Sequence, residues 1–168
     1  MILTLDCSTN KTGFGIFKDD KLVEYGIFNT NSEETKDKMK EIYNWISSLI
    51  NKHNIQHIVF EDVPVSKHKN LHVGKTLSVL QGVILTVCFE YNIESTLYSP
   101  TSWRSIVGTY DGTREGTKRE IQKQKAVEIV NKKFKLDLKY YLRDTKYNIS
   151  DDDVAEAILL GVAYLSEE

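Results

Sequence analysis

The segment ILTLDCSTNKTGFGIFKDDKLVEYGIF, residues 2 to 28, decides the fold. ILTLD at 2–6 is aliphatic and β-branched and runs into the polar turn formers CSTNKTG, the pattern of a strand entering a core. GFGIF at 13–17 and KLVEYGIF at 21–28 read as two further strands, joined by a tight turn at Lys18-Asp19-Asp20. Three strands this close together predict an antiparallel meander.

Beyond it, Ser32 followed by Glu33 and Glu34 opens a helix. Its apolar residues, from Met39 through Ile42 and Ile46 to Ile50, recur at helical spacing until Asn51–Asn54. IQHIVFED at 55–62 is a strand, and a helix lying between it and the meander predicts a right-handed crossover that leaves it parallel to the first strand. VGKTLSVLQGVILTVCFEYN at 73–92 is a long helix, apolar nearly all round and expected to be buried against a sheet or a partner. IESTLYS at 93–99 is a fifth strand stopped by Pro100, and TSWRSIVG at 101–108 a short helix capped by Thr101 or Ser102. TYDGTREGTKRE at 109–120 is an exposed, mobile loop, IQKQKAVEIVNKKF at 121–134 an amphipathic helix with a basic face, and a last helix runs from about Asp152 to Leu165. The expected architecture is α/β, a mixed five-stranded sheet (antiparallel meander plus parallel strands) with helices on both faces, in a single domain spanning residues 1–168.

A hydrophobic fraction of 40% and a charged fraction of 27% are those of an ordinary globular domain and exclude a disordered or fibrous chain. MILTLDCSTNK lacks the basic opening of a signal peptide, and LSVLQGVILTVCF is interrupted by Gln81 and reads as too short to span a bilayer, so a cytoplasmic protein with no membrane partner is expected. Cys7 and Cys88 have neither the number nor the spacing of a disulfide scaffold or a zinc site and read as buried small hydrophobes. His68 and His72 stand four apart, but no cysteine or acid follows at zinc-ligand spacing; they read as facing solvent or phosphate.

The formal net charge is only −2, but it is segregated: Lys118 to Lys135 holds seven basic residues against two acids, whereas Asp151 to Glu168 holds six acids and no Lys or Arg. A basic stretch beside an acidic cluster suits a metal-dependent enzyme acting on phosphate substrates. The layout also gathers acids. Asp6 ends the first strand and Glu61 ends the strand after the crossover, so parallel neighbours put both at one sheet edge. ISDDDVAEAILLG at 149–161 adds Asp153 and Glu156, one helical turn apart, with Ser150 or Asp151 as the cap. Four converging carboxylates repel one another unless a cation lies between them, and hard oxygen ligands without thiolate or imidazole suit Mg²⁺ or Mn²⁺. Two such ions, ~3.5–4 Å apart, can hold a scissile phosphate from both sides. Singly, each acid has a plainer reading: Asp6 as a turn former, Glu61 and Asp62 as solvated loop acids, Glu156 as an exposed helix residue. Their combination carries the argument.

LTLDCSTNKTGFGIF, IVFEDVPV, SVLQGVILTVC, YSPTSWRSIVG, TKREIQKQKAVEIV and SDDDVAEAILLG together resemble, in family order, the RuvC family of Holliday junction resolvases within the ribonuclease H-like superfamily. The resemblance implies a ribonuclease H-like fold and a homodimeric, divalent-metal-dependent endonuclease that nicks two like-polarity strands of a four-way DNA junction symmetrically. It places the family's acids on Asp6, Glu61, Asp153 and Glu156, with Asp152 competing for the third position because the acidic run leaves the register open by one residue. The small size and short insertions look more like a bacteriophage or viral member, for which the location would be the host cytoplasm. Two positions depart from the pattern: Glu156 stands where the family more often has aspartate, and Pro64 stands where bacterial members carry an aromatic residue that works at the junction centre.

Lys67, His68, Lys69, His72 and Lys75 follow the glutamate and read either as phosphate contacts or as a solvated helix start. Arg104 supports either DNA or the fold, whereas Arg114, Lys118, Arg119, Lys123 and Lys125 read as contacts to the DNA backbone or as an ordinary charged helix face. Trp45 and Trp103 lie in apolar helical patterns and read as packing residues. Three rival functions remain: a broader branched-DNA or flap nuclease, a branched-DNA-binding protein without catalysis, and an actin-like nucleotide-binding domain. The last is disfavoured by the short chain and the lack of a Walker A motif.

Overall fold

The computed structural model describes residues 1–63, 71–145 and 148–168. Strands β1 (Ile2–Asp6), β2 (Lys11–Lys18) and β3 (Lys21–Asn29) form the antiparallel meander, with Asp19 in the left-handed conformation that its tight turn needs. Helix α1 (Thr35–His53) crosses over to β4 (His57–Glu61), which lies parallel to β1 with Leu5 opposite Phe60. Helix α2 (Leu71–Glu90) leads to β5 (Glu94–Tyr98), parallel to β4, and the sheet order is β3-β2-β1-β4-β5. Helices α3 (Pro100–Ile106), α4 (Arg119–Phe134) and α5 (Asp152–Glu167) complete the fold.

Each face of the sheet has its own core. On one, Met39, Ile42 and Ile46 of α1 and Leu80 and Ile84 of α2 meet Leu3, Leu5 and Ile58. On the other, α5 carries Ile158, Leu159 and Leu160 against Phe17, with Trp103 of α3 and Val127 and Val130 of α4. This is the expected mixed five-stranded α/β fold with helices on both faces.

Local differences have local causes. Helix α1 begins at Thr35 rather than Ser32, because the amides of Asn31 and Ser32 donate instead to the Glu41 carboxylate at 2.7 and 2.9 Å. Helix α3 is capped by Ser99, whose hydroxyl accepts from the Ser102 amide at 3.3 Å, not by Thr101 or Ser102. Pro100 then occupies the first turn, where its missing N–H costs nothing. Helix α2 is not buried all round: Leu80, Ile84, Val87 and Cys88 face the core, while Val79, Leu85 and Phe89 are exposed. Over Val73–Glu90 it is long and apolar enough to cross a bilayer by length and composition, which corrects the shorter span read from the sequence. The 109–120 segment is mostly exposed, with Thr109 and Gly116 buried and its end in the first turn of α4, and it is tied together: Asp111 accepts from the Thr113 amide at 3.0 Å and Gln122 donates to the Gly116 carbonyl at 2.7 Å.

Candidate active site

The parallel register that pairs Leu5 with Phe60 delivers the next residues, Asp6 and Glu61, to the same carboxyl edge of the sheet. Helix α5 reaches that edge because the sheet lets it come close. Gly13 pairs with Asp6, and a Cβ there would lie 2.0 Å from the Asp153 carbonyl oxygen, so no larger residue fits beneath the first turn of α5. Thr4, fully buried in β1, donates its hydroxyl to the Ala157 carbonyl at 2.7 Å and ties the same helix down. Lys11, at the start of β2, donates to the Ser150 carbonyl at 3.3 Å and pairs with Asp153 at 3.0 Å.

One carboxylate oxygen from each of Asp6, Asp153 and Glu156 lies within 4.8 Å of the others. Burial, then the carboxylates of Glu156, Glu61 and Asp153, push the Asp6 carboxyl well above the usual aspartate range, and Arg119 offsets this only in part. Glu61 belongs to the same edge but is already engaged: its Oε2 accepts from the Trp103 indole at 2.9 Å and lies 3.1 Å from Arg104 Nη2. The same Nη2 donates to Glu156 Oε1 at 2.8 Å, and the guanidinium stacks 4.4 Å from the centre of the Trp103 ring. Glu156 is 1% exposed, and its second oxygen, Oε2, is buried without a hydrogen bond, 4.0 Å from Arg119.

Asp152, the competitor for the third position, turns elsewhere. Its buried carboxylate pairs with Lys123, whose Nζ also lies 3.6 Å from Asp153. Successive residues of a helix point about 100° apart, so Asp152 and Asp153 cannot both face the cluster. Neither proposed cap acts through its side chain: Asp151 accepts from the Lys139 amide at 2.8 Å, and Ser150 exchanges hydrogen bonds with the Tyr141 backbone. Arg104, read as a residue for DNA or the fold, is buried with its guanidinium turned inward to two acids. Lys67, His68 and Lys69 lie outside the described residues, as do Pro64 and the side chain of His72; Lys75 is exposed on α2.

Arg114, Lys118 and Arg119 are exposed, with Lys118 paired to Glu115 at 3.1 Å and Lys125 to Asp111 at 3.3 Å. Arg119 separates two clefts. One, of about 130 Å³, is lined by Asp6, Cys7, Glu61 and Gln81; the other, of about 460 Å³, by Lys11, Lys123, Tyr140, Tyr141 and Asp153. Cys88 is buried as expected and Cys7 only half so, its thiol raised by burial and by Asp6 and Glu61. Sequence reasoning misses Lys11, Tyr140, Tyr141 and Trp103. Lys11 sits among polar turn residues and the tyrosines in a segment without a motif, and the indole N–H of Trp103 leaves no trace in an apolar pattern that predicts packing alone. Gly13 did carry a signal, since a glycine inside a strand marks a close approach.

A family model described as "Crossover junction endodeoxyribonuclease RuvC" matches residues 2–162. The protein of that name from Ehrlichia canis is 29% identical over 168 residues, covering 97% of this chain and 96% of its own length. The Orientia tsutsugamushi (strain Boryong) protein is 32% identical over 114 residues, 64% of this chain and 70% of its own. Among solved structures, Thermus thermophilus RuvC in complex with a Holliday junction substrate superposes with a TM-score of 0.71 at 13% identity, covering 99% of this chain and 95% of that one. The yeast mitochondrial Holliday junction resolvase Ydc2 gives 0.64 at 13% identity, covering 98% and 77%. With its sheet order, its acidic edge and a match over nearly its full length, the chain belongs to the RuvC family of crossover junction endodeoxyribonucleases.

Proposed function

We propose that this protein is a metal-dependent endonuclease that resolves four-way DNA junctions, with Asp6, Asp153, Glu156 and Glu61 as the catalytic acids. The convergence of the Asp6, Asp153 and Glu156 carboxylates, the last with a buried oxygen that makes no hydrogen bond, carries the reading. Such a set of hard oxygens fits Mg²⁺ or Mn²⁺ and leaves softer metals without a preferred ligand. Held there, two divalent ions would lower the pKa of an attacking water and stabilise the leaving 3′ oxygen. The chain's own groups do the rest. Arg119, between the two clefts, and Lys123 and Lys11 beside Asp153 draw the DNA backbone across the acids. Arg114, Lys118, Lys125 and Lys75 extend that contact over exposed surface, and Lys67 and Lys69 belong to the same reading from sequence.

Two symmetric nicks require two active sites at a fixed separation, and the outward apolar residues of α2, Val79, Leu85 and Phe89, supply the surface for a homodimer. α2 serves that interface and the core rather than a membrane, and the working compartment is the cytoplasm. Incubating the protein with a synthetic mobile four-way junction, a flap and a linear duplex in Mg²⁺ or Mn²⁺ tests the proposal. Paired nicks on strands of like polarity, with ligatable ends and a clear preference for the junction, are expected. Equal cutting of flap and junction would reduce the protein to a broader branched-DNA nuclease, and junction binding with no cleavage would leave only a binding protein.

A further inference from the structure

Between α4 and α5 the chain makes an excursion without regular secondary structure that is nonetheless firmly built. At its base Asn131 clasps both backbone groups of Leu138 at 2.9 Å. The Asp151 amide donates to the Lys139 carbonyl at 2.8 Å, and the Asp151 carboxylate takes the Lys139 amide at 2.8 Å. Further out, the buried Ser150 hydroxyl accepts from the Tyr141 amide at 2.8 Å and donates to its carbonyl at 3.0 Å, while the Ser150 amide donates to Asp144 at 2.9 Å. These bonds hold two limbs, 138–144 and 148–151, side by side. Next to the Ser150 clasp each limb carries an apolar side chain in solvent: Leu142, 75% exposed, and Ile149, 59% exposed. Tyr140 packs on the core beneath them, and Tyr141 and Leu142 line the cleft of about 460 Å³ beside Asp153.

Two large aliphatic side chains held in water on a fixed loop point to a partner. The cleft shows its chemistry. Among the described residues it is lined by three cations and four acids, and Lys11 and Lys123 are taken up by Asp153 and Asp152, so it has no surplus positive charge for a phosphate. What it leaves to a ligand is an aromatic and aliphatic wall, which suits the flat, uncharged face of a base. Arg119 lines both this cleft and the one holding Asp6 and Glu61, so a strand whose phosphate lies over the acids brings its neighbouring bases to Tyr141 and Leu142.

We infer that this arm is a base-contacting wedge that favours branched DNA: Leu142 and Ile149 press into a base step opened at the branch, and Tyr141 stacks on the base displaced into the cleft. The inference rests on the reading of the protein as a junction nuclease. Stacking energy supplies the selectivity. Opening a step inside a continuous duplex is costly, whereas a branch point has already given up part of its stacking, so the same contact costs less there. Phosphate contacts through Arg119 and the exposed lysines hold any duplex alike, and the arm adds affinity only where bases are open.

The test is binding in EDTA to a four-way junction and to a linear duplex, with permanganate reactivity of thymines placed at the branch, for the wild type, L142S/I149S, Y141A and Y141F. The wild type should prefer the junction and raise the reactivity of those thymines. L142S/I149S should lose about tenfold in junction affinity and less than about twofold on the duplex, with branch thymines as unreactive as in free DNA. Y141A should lose about fivefold on the junction, and Y141F should restore it, because stacking needs the ring and not the hydroxyl. Unchanged junction affinity in L142S/I149S, equal losses on junction and duplex, or a Y141F as weak as Y141A would overturn the inference. So would a shift of L142S/I149S from dimer to monomer in sedimentation, which would make the tip a protein interface. A wild type that binds junction and duplex equally would overturn the junction reading beneath it as well, a distinguishable failure.

Discussion

Asp6 concentrates the electrostatic cost of the site, being crowded by burial and by three other carboxylates. A carboxyl whose pKa is raised in the folded state binds more protons there than in the unfolded chain, so its protonation stabilises the fold at low pH. That contribution fades as pH climbs from the usual aspartate range through the raised value. Metal-free protein should therefore lose melting temperature over this interval, and D6N should flatten the slope and raise Tm at pH 7 by a few degrees, as read by calorimetry in EDTA. Added Mn²⁺ should stabilise the wild type and not D6N. Asp152 and Asp153 make a second residue-level contrast. D153N should lower junction cleavage by about three orders of magnitude or more, whereas D152N, which loses only its pair with Lys123, should stay within about tenfold of wild type in single-turnover assays. Equal losses would assign both residues to the metal.

The elements bring these residues together through close approach. A methyl at Gly13 meets the Asp153 carbonyl at 2.0 Å, so G13A must lift the first turn of α5 from the sheet, lowering stability by about 1–3 kcal/mol and cleavage by more than that loss explains. Chemical denaturation beside cleavage at a temperature where the variant is fully folded separates the two. Strands and helices were legible because their periods were strong: the meander, the crossover to β4 and the edge that holds Asp6 and Glu61 follow from apolar runs and chain order alone. Boundaries and partners were not. Glu41 capturing the amides ahead of α1, Asp152 turning to Lys123, and Arg104 turning inward depend on contacts between residues far apart in sequence, which no local pattern records.

At the scale of the molecule, one face of α2 is committed to the core and the other is apolar and exposed, with Phe89 at 89%. A helix of this kind is stable in water when a partner covers it. L85E and F89E together should convert a dimer to a monomer in sedimentation and reduce paired nicking to single nicks, while leaving the fold by circular dichroism intact. A wild type that sediments as a monomer with and without junction DNA would remove the dimer from the account. The acidic and basic regions, segregated along the chain, meet at one edge around Arg119. The cleavage proposed for that edge depends on divalent ions lying among the carboxylates. Crystals soaked in Mn²⁺ and measured at the manganese absorption edge place the ion without reference to activity. An anomalous peak bounded by Asp6, Asp153 and Glu156 is expected; a peak elsewhere, or none at millimolar Mn²⁺, would show that these acids do not hold the ion.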